Sequence, residues 1–266
     1  MTFKDMDSLV LLGCGKMGSA LLEGWLAGGL PPSAVTVIEP HPSDWLRARG
    51  VRLNEALPPA PTVAVIAVKP QMMGAALPQL QAVGGDTLFL SIAAGTPIAA
   101  FEAAFGPGAR VVRAMPNTPA AVGRGVTALI GNAAAGEGMA LAEALMAAVG
   151  ATVRLESEAQ MDAVTALSGS GPAYVFHLIE ALAAAGVAEG LPEALAMELA
   201  RHTVSGAGEL ARQSPETAAQ LRVNVTSPGG TTAAGLAVLM DADSGLPPLI
   251  RRTVAAAAER SRELGT

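Results

Sequence analysis

Cys14 is the only cysteine in this 266-residue chain. That excludes an intrachain disulfide and a cysteine-cluster metal site, and it points to the cytoplasm as the expected location. Histidine is nearly as scarce. His41, His177 and His202 lie outside every motif, so no metal site is expected, and a serine hydrolase lacks its base. Aromatic residues make up 3% and charged residues 15% of the chain, and the net charge is -6. A general nucleic-acid binder would carry a basic surface instead. A membrane span is missing too, since a lipid-crossing helix needs about 20 mostly apolar residues. The charge-free stretch 223–240 contains Asn224, Ser227, Pro228, Gly229 and Gly230. No leader is expected at the N-terminus, where Lys4, Asp5 and Asp7 precede a strand-like run.

What the chain does have is small apolar residues. Hydrophobic residues reach 51%, much of it helix-favouring alanine. Close-packed helices and a buried interface between subunits are expected. The length suits one large domain or two ordinary ones.

The first half alternates short β-branched runs with helical stretches. Strands are predicted at Ser8–Leu12, Val35–Glu39, Thr62–Val68, Thr87–Ser91 and Arg110–Ala114, and helices at Met17–Ala27 and Ser43–Arg49. The continuous apolar strands imply a parallel sheet covered on both faces. After Leu155 only helical runs follow, at 159–167, 173–189, 192–212, 216–223, 231–241 and 248–264. Pro172, Pro192 and Pro215 stand at expected helix starts. The predicted architecture is an α/β Rossmann-type domain with a parallel-dominated sheet (1–157), followed by an all-α domain (158–266). The run Tyr174–Leu182 is apolar nearly all round. Such a helix is buried, here against a partner subunit.

Gly13-Cys14-Gly15-Lys16-Met17-Gly18 follows the first strand and opens the first helix. The first glycine would make the tight turn, the second let the backbone approach a pyrophosphate, and the third let helix and strand pack. The helix start would supply N–H groups to the phosphates. Glu39 closes the second strand about 20 residues further on, where an acid holds the adenosine ribose and repels a 2'-phosphate. A solvated strand-end carboxylate is the alternative there. Cys14 reads as a small residue tolerated in the turn. Lys69-Pro70 and Ser91-Ile92-Ala93-Ala94-Gly95-Thr96-Pro97 each follow a strand and could line the ligand crevice, as could the turn-rich run 113–119. In the second half, Ser227-Pro228-Gly229-Gly230-Thr231-Thr232 precedes a helix. It reads as a seat for a small carboxylate rather than an ordinary N-cap, because two adjacent glycines exceed what capping needs. The loop Ser168–Pro172 offers Ser170, but no histidine and acid accompany it.

Together these runs resemble the pyrroline-5-carboxylate reductase family. The segments GCGKMGSALLEGWL, AVKPQ, SIAAGTP, RAMPNTPAAVGRGVTAL, LSGSGPAYVF and VTSPGGTT carry the resemblance, in the family's order, from Gly13 to Thr232. The resemblance implies NADPH- or NADH-dependent reduction of 1-pyrroline-5-carboxylate to proline. It implies a helical domain that interlocks with a second copy, dimers that assemble into rings, and a site completed by the partner. It places Gly13, Cys14, Gly15, Lys16, Met17 and Gly18 at the pyrophosphate and Asn54 near the ribose. Ala67, Val68, Lys69, Pro70, Ile92, Ala93 and Ala94 fall beside the nicotinamide half, with Asn224 helping to hold cofactor or substrate. Ser227, Gly230, Thr231 and Thr232 become the substrate seat, Thr232 facing the ring nitrogen as the catalytic residue, and Glu158 an acid near that pocket. The family habit leans toward NADPH, but Glu39 stands where many members have a small or polar residue, which favours NADH or at least relaxes the preference. A β-hydroxyacid dehydrogenase and a non-catalytic dinucleotide sensor are the competing readings. The first lacks SPGGTT.

Overall fold

The computed structural model describes Phe3 and residues 6–265. The expectation of no leader falls largely on Met1, Thr2, Lys4 and Asp5, which lie outside the described residues. The chain runs β1 (Leu9–Leu12), α1 (Lys16–Ala27), β2 (Val35–Ile38), α2 (Asp44–Arg47), β3 (Arg52–Leu53), β4 (Val63–Ile66) and α3 (Met73–Ala76). It continues through β5 (Leu88–Ser91), α4 (Ile98–Phe105), β6 (Arg110–Met115), β7 (Gly125–Gly131), α5 (Gly138–Ala147), β8 (Gly150–Arg154) and α6 (Met161–Val164). Then come α7 (Gly171–Ala188), α8 (Glu193–Gln213), α9 (Ala218–Asn224), α10 (Thr231–Leu239) and α11 (Leu246–Leu264).

The strands form one sheet in the order β3-β2-β1-β4-β5-β6-β7-β8. Every neighbouring pair is parallel except β6 with β7, where Arg113 stands opposite Ile130. The first six spatial positions follow the doubly wound dinucleotide-binding order, whose ligand crevice opens where the winding reverses, here between β1 and β4. β1 shows why the sheet is apolar on both faces. Leu9 and Leu11 join a core with Leu21, Leu22 and Trp25 of α1, while Val10 and Leu12 join a second core with Leu77 and Phe101. Successive side chains point to opposite faces, and both are covered. The Trp25 indole donates to the Leu145 carbonyl at 2.8 Å, so its one polar atom is paired.

Three strands were not expected: β3, β7 and β8. The helix expected over 43–49 is one turn, Asp44–Arg47, capped by Ser43. That expected over 159–167 is broken. Ser157 and Gln160 form a capping box for a 3-10 turn, α6 follows, and Thr165–Gly169 is a π turn. The Thr165 and Ser168 hydroxyls donate to the carbonyls of Met161 and Val164, bonds that loosen a helix.

The chain divides into two compact units, Met1–Gly169 with Ala257–Thr266, and Ser170–Ala256. By compactness the division falls after the broken helix, and the Asn117 amide, donating to the Ser168 carbonyl at 3.1 Å, ties that stretch to the sheet unit. The second unit is helical throughout. Part of its apolar helix α7 stays uncovered in this chain: Phe176 is 59% exposed. Among the described residues, Glu158–Ala188 is long and apolar enough by length and composition to cross a membrane, a property the 223–240 stretch does not share. The π turn, Glu158, Asp162 and Glu180 interrupt that run.

Candidate cofactor and substrate sites

The crevice between β1 and β4 is built around three glycines with three different jobs. Gly13 has φ +90, and a Cβ there would stand 2.9 Å from the Ala67 carbonyl oxygen. Only glycine adopts that turn without strain. A Cβ on Gly18 would lie 2.7 Å from the Gly13 carbonyl oxygen, so α1 packs directly on the loop. Around Gly15 a Cβ would meet nothing within 4 Å. Gly15 is the N-cap of α1 and no side chain caps that end, so the first N–H groups of the helix face open space, as an anion site requires. The adjoining cleft, about 360 Å³, is lined by Gly13, Gly15, Glu39, Ala67, Val68 and Lys69, with Met72, Ala75, Ala76 and Gln79 on its far wall. These last four were not expected. Met72, Ala75 and Ala76 belong to the turn and helix that Pro70 starts, and Gln79 to the 3-10 turn Leu77–Leu80 that follows. The uncapped helix start and the open approach at Gly15 fit the pyrophosphate of a dinucleotide.

Glu39 sits at the rim of the cleft. Its Oε2 accepts from the Cys14 N–H at 2.8 Å, and its Oε1 from the His41 N–H at 3.0 Å. The carboxylate is thus fixed by backbone donors from the loops after β1 and β2. Asn54 reaches it indirectly. Its side chain accepts from the Glu39 N–H at 2.8 Å and donates to the Glu39 carbonyl at 2.9 Å, and its own φ of +55 is the left-handed region that asparagine tolerates. Asn54 therefore clamps the end of β2, and its amide is taken up in doing so. Burial pushes the Cys14 thiol above its ordinary pKa; the Ser19 hydroxyl at 3.5 Å draws it down less, and the Glu39 charge adds to the rise. A thiol held neutral is not a nucleophile.

Ala67 and Val68 line the cleft, Lys69 is exposed beside it and Pro70 starts the next turn. Ile92, Ala93 and Ala94 follow β5, and the Ser91 hydroxyl accepts from the Ala93 N–H. Lys16 is exposed and Met17 half-buried in the first turn of α1. Glu158 is engaged elsewhere. Its Oε1 accepts from the Ile98 N–H at 2.8 Å and pairs with the buried Arg113. The pair spans 45 positions in sequence, a spacing with no motif to announce it. Asn117 is a second such residue: buried, it accepts from the Val126 N–H and donates to Ser168.

In the helical unit, Ser227 to Gly230 form a tight turn. The Gly230 N–H donates to the Ser227 carbonyl at 3.0 Å, and Gly229 has φ +70. A Cβ on Gly230 would stand 3.0 Å from the Ser227 hydroxyl, a tight approach, while the positive φ of Gly229 is what the turn demands of glycine. Gly230 is the N-cap of α10 with no side-chain cap, and Thr231 and Thr232, its first two residues, are exposed. The N–H groups of that turn are open to an anion, with three hydroxyls near. Asn224 closes α9, donating to Glu216 at 2.9 Å and accepting from Gln220 at 2.8 Å.

Residues 158–264 match the family model described as pyrroline-5-carboxylate reductase dimerisation. A pyrroline-5-carboxylate reductase of Synechocystis sp. is 42% identical, over 97% of this chain and 98% of its own length. The chain belongs to the pyrroline-5-carboxylate reductase family. The reductase of Methanosarcina acetivorans is 38% identical over 98% of this chain and 99% of its own. Among solved structures, the family member from Coxiella burnetii matches with a TM-score of 0.91 at 34% identity, covering 98% of this chain and 100% of that one. The Plasmodium falciparum pyrroline carboxylate reductase, solved with NADP bound, matches with a TM-score of 0.84 at 30% identity over 99% of each chain. Residues 8–95 also match a model described as NADP oxidoreductase, coenzyme F420-dependent. That segment carries the glycine cradle, and family membership points to a nicotinamide nucleotide as the cofactor.

Proposed function

We propose that this chain reduces 1-pyrroline-5-carboxylate to L-proline with a reduced nicotinamide dinucleotide. The observation that carries the proposal is the cradle of Gly13, Gly15 and Gly18 in a chain whose full-length relatives bear the reductase name. When bound there, the dinucleotide supplies the hydride that the imine carbon accepts.

The chain's own part is to hold, orient and exclude. The uncapped N–H groups at the start of α1 hold the pyrophosphate. Glu39, already fixed by Cys14 and His41, meets the adenosine ribose and repels a 2'-phosphate, so NADH is the preferred donor. Asn54 acts by setting Glu39. Ala67 to Pro70 and Ile92 to Ala94 flank the nicotinamide half. The N–H groups of Gly230, Thr231 and Thr232, with the Ser227 hydroxyl, seat the substrate carboxylate. The Thr232 hydroxyl orients the ring nitrogen, and Asn224 steadies the neighbouring turn. Threonine is too weak an acid to give up its proton outright, so its role is hydrogen bonding. Glu158 acts near the pocket through Arg113 and Ile98. The apolar face of α7 docks on a second copy, dimers build into rings, and the enzyme works in the cytoplasm.

Cofactor oxidation measured with pyrroline-5-carboxylate, with a keto acid and with no substrate tests this. Turnover is expected with the cyclic imine alone. Equal rates with a keto acid would mean a carbonyl reductase, and binding without turnover would mean a sensor.

A further inference from the structure

The loop after β5 is held in place from the far end of the chain. The last turn of α11 belongs to the same compact unit as the sheet, and two glycines meet where it touches the loop. A Cβ on Gly95 would stand 3.1 Å from the Leu264 carbonyl oxygen, and one on Gly265 would stand 2.8 Å from the Gly95 carbonyl oxygen. Backbone presses on backbone there, and Gly95 also has φ +74. One turn earlier in α11, Ser261 is 5% exposed, and its hydroxyl donates to Asp162 Oδ1 at 2.6 Å. Asp162 lies in α6, four residues after Glu158, whose carboxylate accepts from the Ile98 N–H at the start of α4. The loop is thus gripped in its middle by Gly265 and at its end by Glu158, and the Ser261–Asp162 bond ties the two grips together. Gly95, Glu158, Asp162 and Gly265 rim one cavity of about 460 Å³.

We propose that the last turn of α11 positions the cofactor loop. Through Gly265 and the Ser261–Asp162 bond, it sets Ile92 to Ala94 against the nicotinamide half of the dinucleotide. Ser261, Asp162 and Gly265 are positioning residues, remote from the reacting atoms. A hydroxyl bonded to a carboxylate in a half-buried place is a strong contact, and removing the donor leaves the carboxylate short of a partner. The slack reaches the loop through Gly265 and Leu264, whose backbone bears directly on Gly95. This inference rests on the reading that Ile92 to Ala94 flank the nicotinamide.

The experiment compares two ligands on the full-length protein: NADH, and ADP-ribose, which lacks the nicotinamide. Ser261→Ala is expected to raise the NADH Kd about three- to tenfold, a fraction of what one charge-assisted hydrogen bond contributes, with the ADP-ribose Kd unchanged. Asp162→Asn keeps an oxygen that accepts from Ser261, and its NADH Kd is expected within about twofold of the parent. Gly265→Val, at an exposed position, gives the same comparison should Ser261→Ala fail to fold. An equal loss for both ligands, or no loss for NADH, overturns the proposal. Ala94→Leu separates the two levels. If it leaves NADH binding intact, the reading of the loop itself fails. If it weakens NADH binding while Ser261→Ala does not, only the role of α11 fails.

Discussion

The two units differ in how much of themselves they bury. In the sheet unit, β1, β4 and β5 are buried end to end, and two apolar cores fill the space above and below them. In the helical unit, from Ser170 to Ala256, only Ala183, Ala196, Ala200 and Gly245 are buried. Four small residues are no core for a unit of that length, and Phe176, Leu178 and Leu182 stand exposed on α7. The sheet unit is thus complete in one chain. The helical unit is half of something, consistent with its match to a dimerisation model. Apolar burial contributes about 25 cal/mol per Å² removed from water, and for these helices that burial has to come from a second copy.

The largest expected effect breaks this contrast directly. Phe176→Glu places a charge on the exposed apolar face of α7. It is expected to weaken self-association by roughly 2–4 kcal/mol, about thirty- to a thousandfold, and to loosen the helical unit while NADH binding to the sheet unit persists. Sedimentation across a dilution series, with NADH titration in parallel, checks both halves. Unchanged mass would mean that the face is not the interface.

Gly15→Val works in the opposite direction. A Cβ at Gly15 meets nothing in the chain, so the melting temperature should hold. The side chain fills the space the pyrophosphate needs, and NADH should bind about a hundredfold more weakly, the cost of roughly 3 kcal/mol of overpacking. Gly18→Ala is the control with the signs exchanged. Its methyl would press on the Gly13 carbonyl and destabilise the fold by about 1–3 kcal/mol.

How far the sequence announced these regions follows from what each element does. β1, β4 and β5 were legible because strands covered on both faces are apolar without interruption. β8 escaped because its residues are mostly exposed and short, Gly150-Ala-Thr-Val-Arg154, in a setting rich in alanine. β7 escaped because glycines bound it at both ends and a turn-rich loop precedes it. Gly13 and Gly18 of the glycine loop were legible, since each answers a separate steric demand of the chain. The pairing of Arg113 with Glu158, the anchor from Asn117 to Ser168 and the clamp of Asn54 on Glu39 were not, because contacts between distant positions leave no local pattern. Helix α7 was legible as a face that must be covered, and the cover lies outside the single chain.

Smaller effects sharpen the chemistry carried by the helical unit. Thr232→Ala is expected to lower kcat by about a hundredfold, the low end for losing one well-placed donor, with Thr232→Ser milder. Steady-state kinetics at saturating cofactor would show it, and full turnover in the alanine variant would remove Thr232 from the mechanism. Glu39→Ser should shift preference toward NADPH by roughly tenfold, about 1.4 kcal/mol, read as the ratio of kcat/KM for the two donors. An unchanged ratio would refute the ribose contact. Cys14→Ala should change least, since its thiol is held neutral and its backbone N–H still meets Glu39.

The most direct measurement follows a labelled atom. The full-length protein is given pyrroline-5-carboxylate and nicotinamide cofactor deuterated at the transferring carbon, and the product is weighed and located by mass spectrometry and NMR. The account predicts proline carrying one deuteron on the ring carbon that had been the imine carbon. Oxidised cofactor without labelled proline would contradict it.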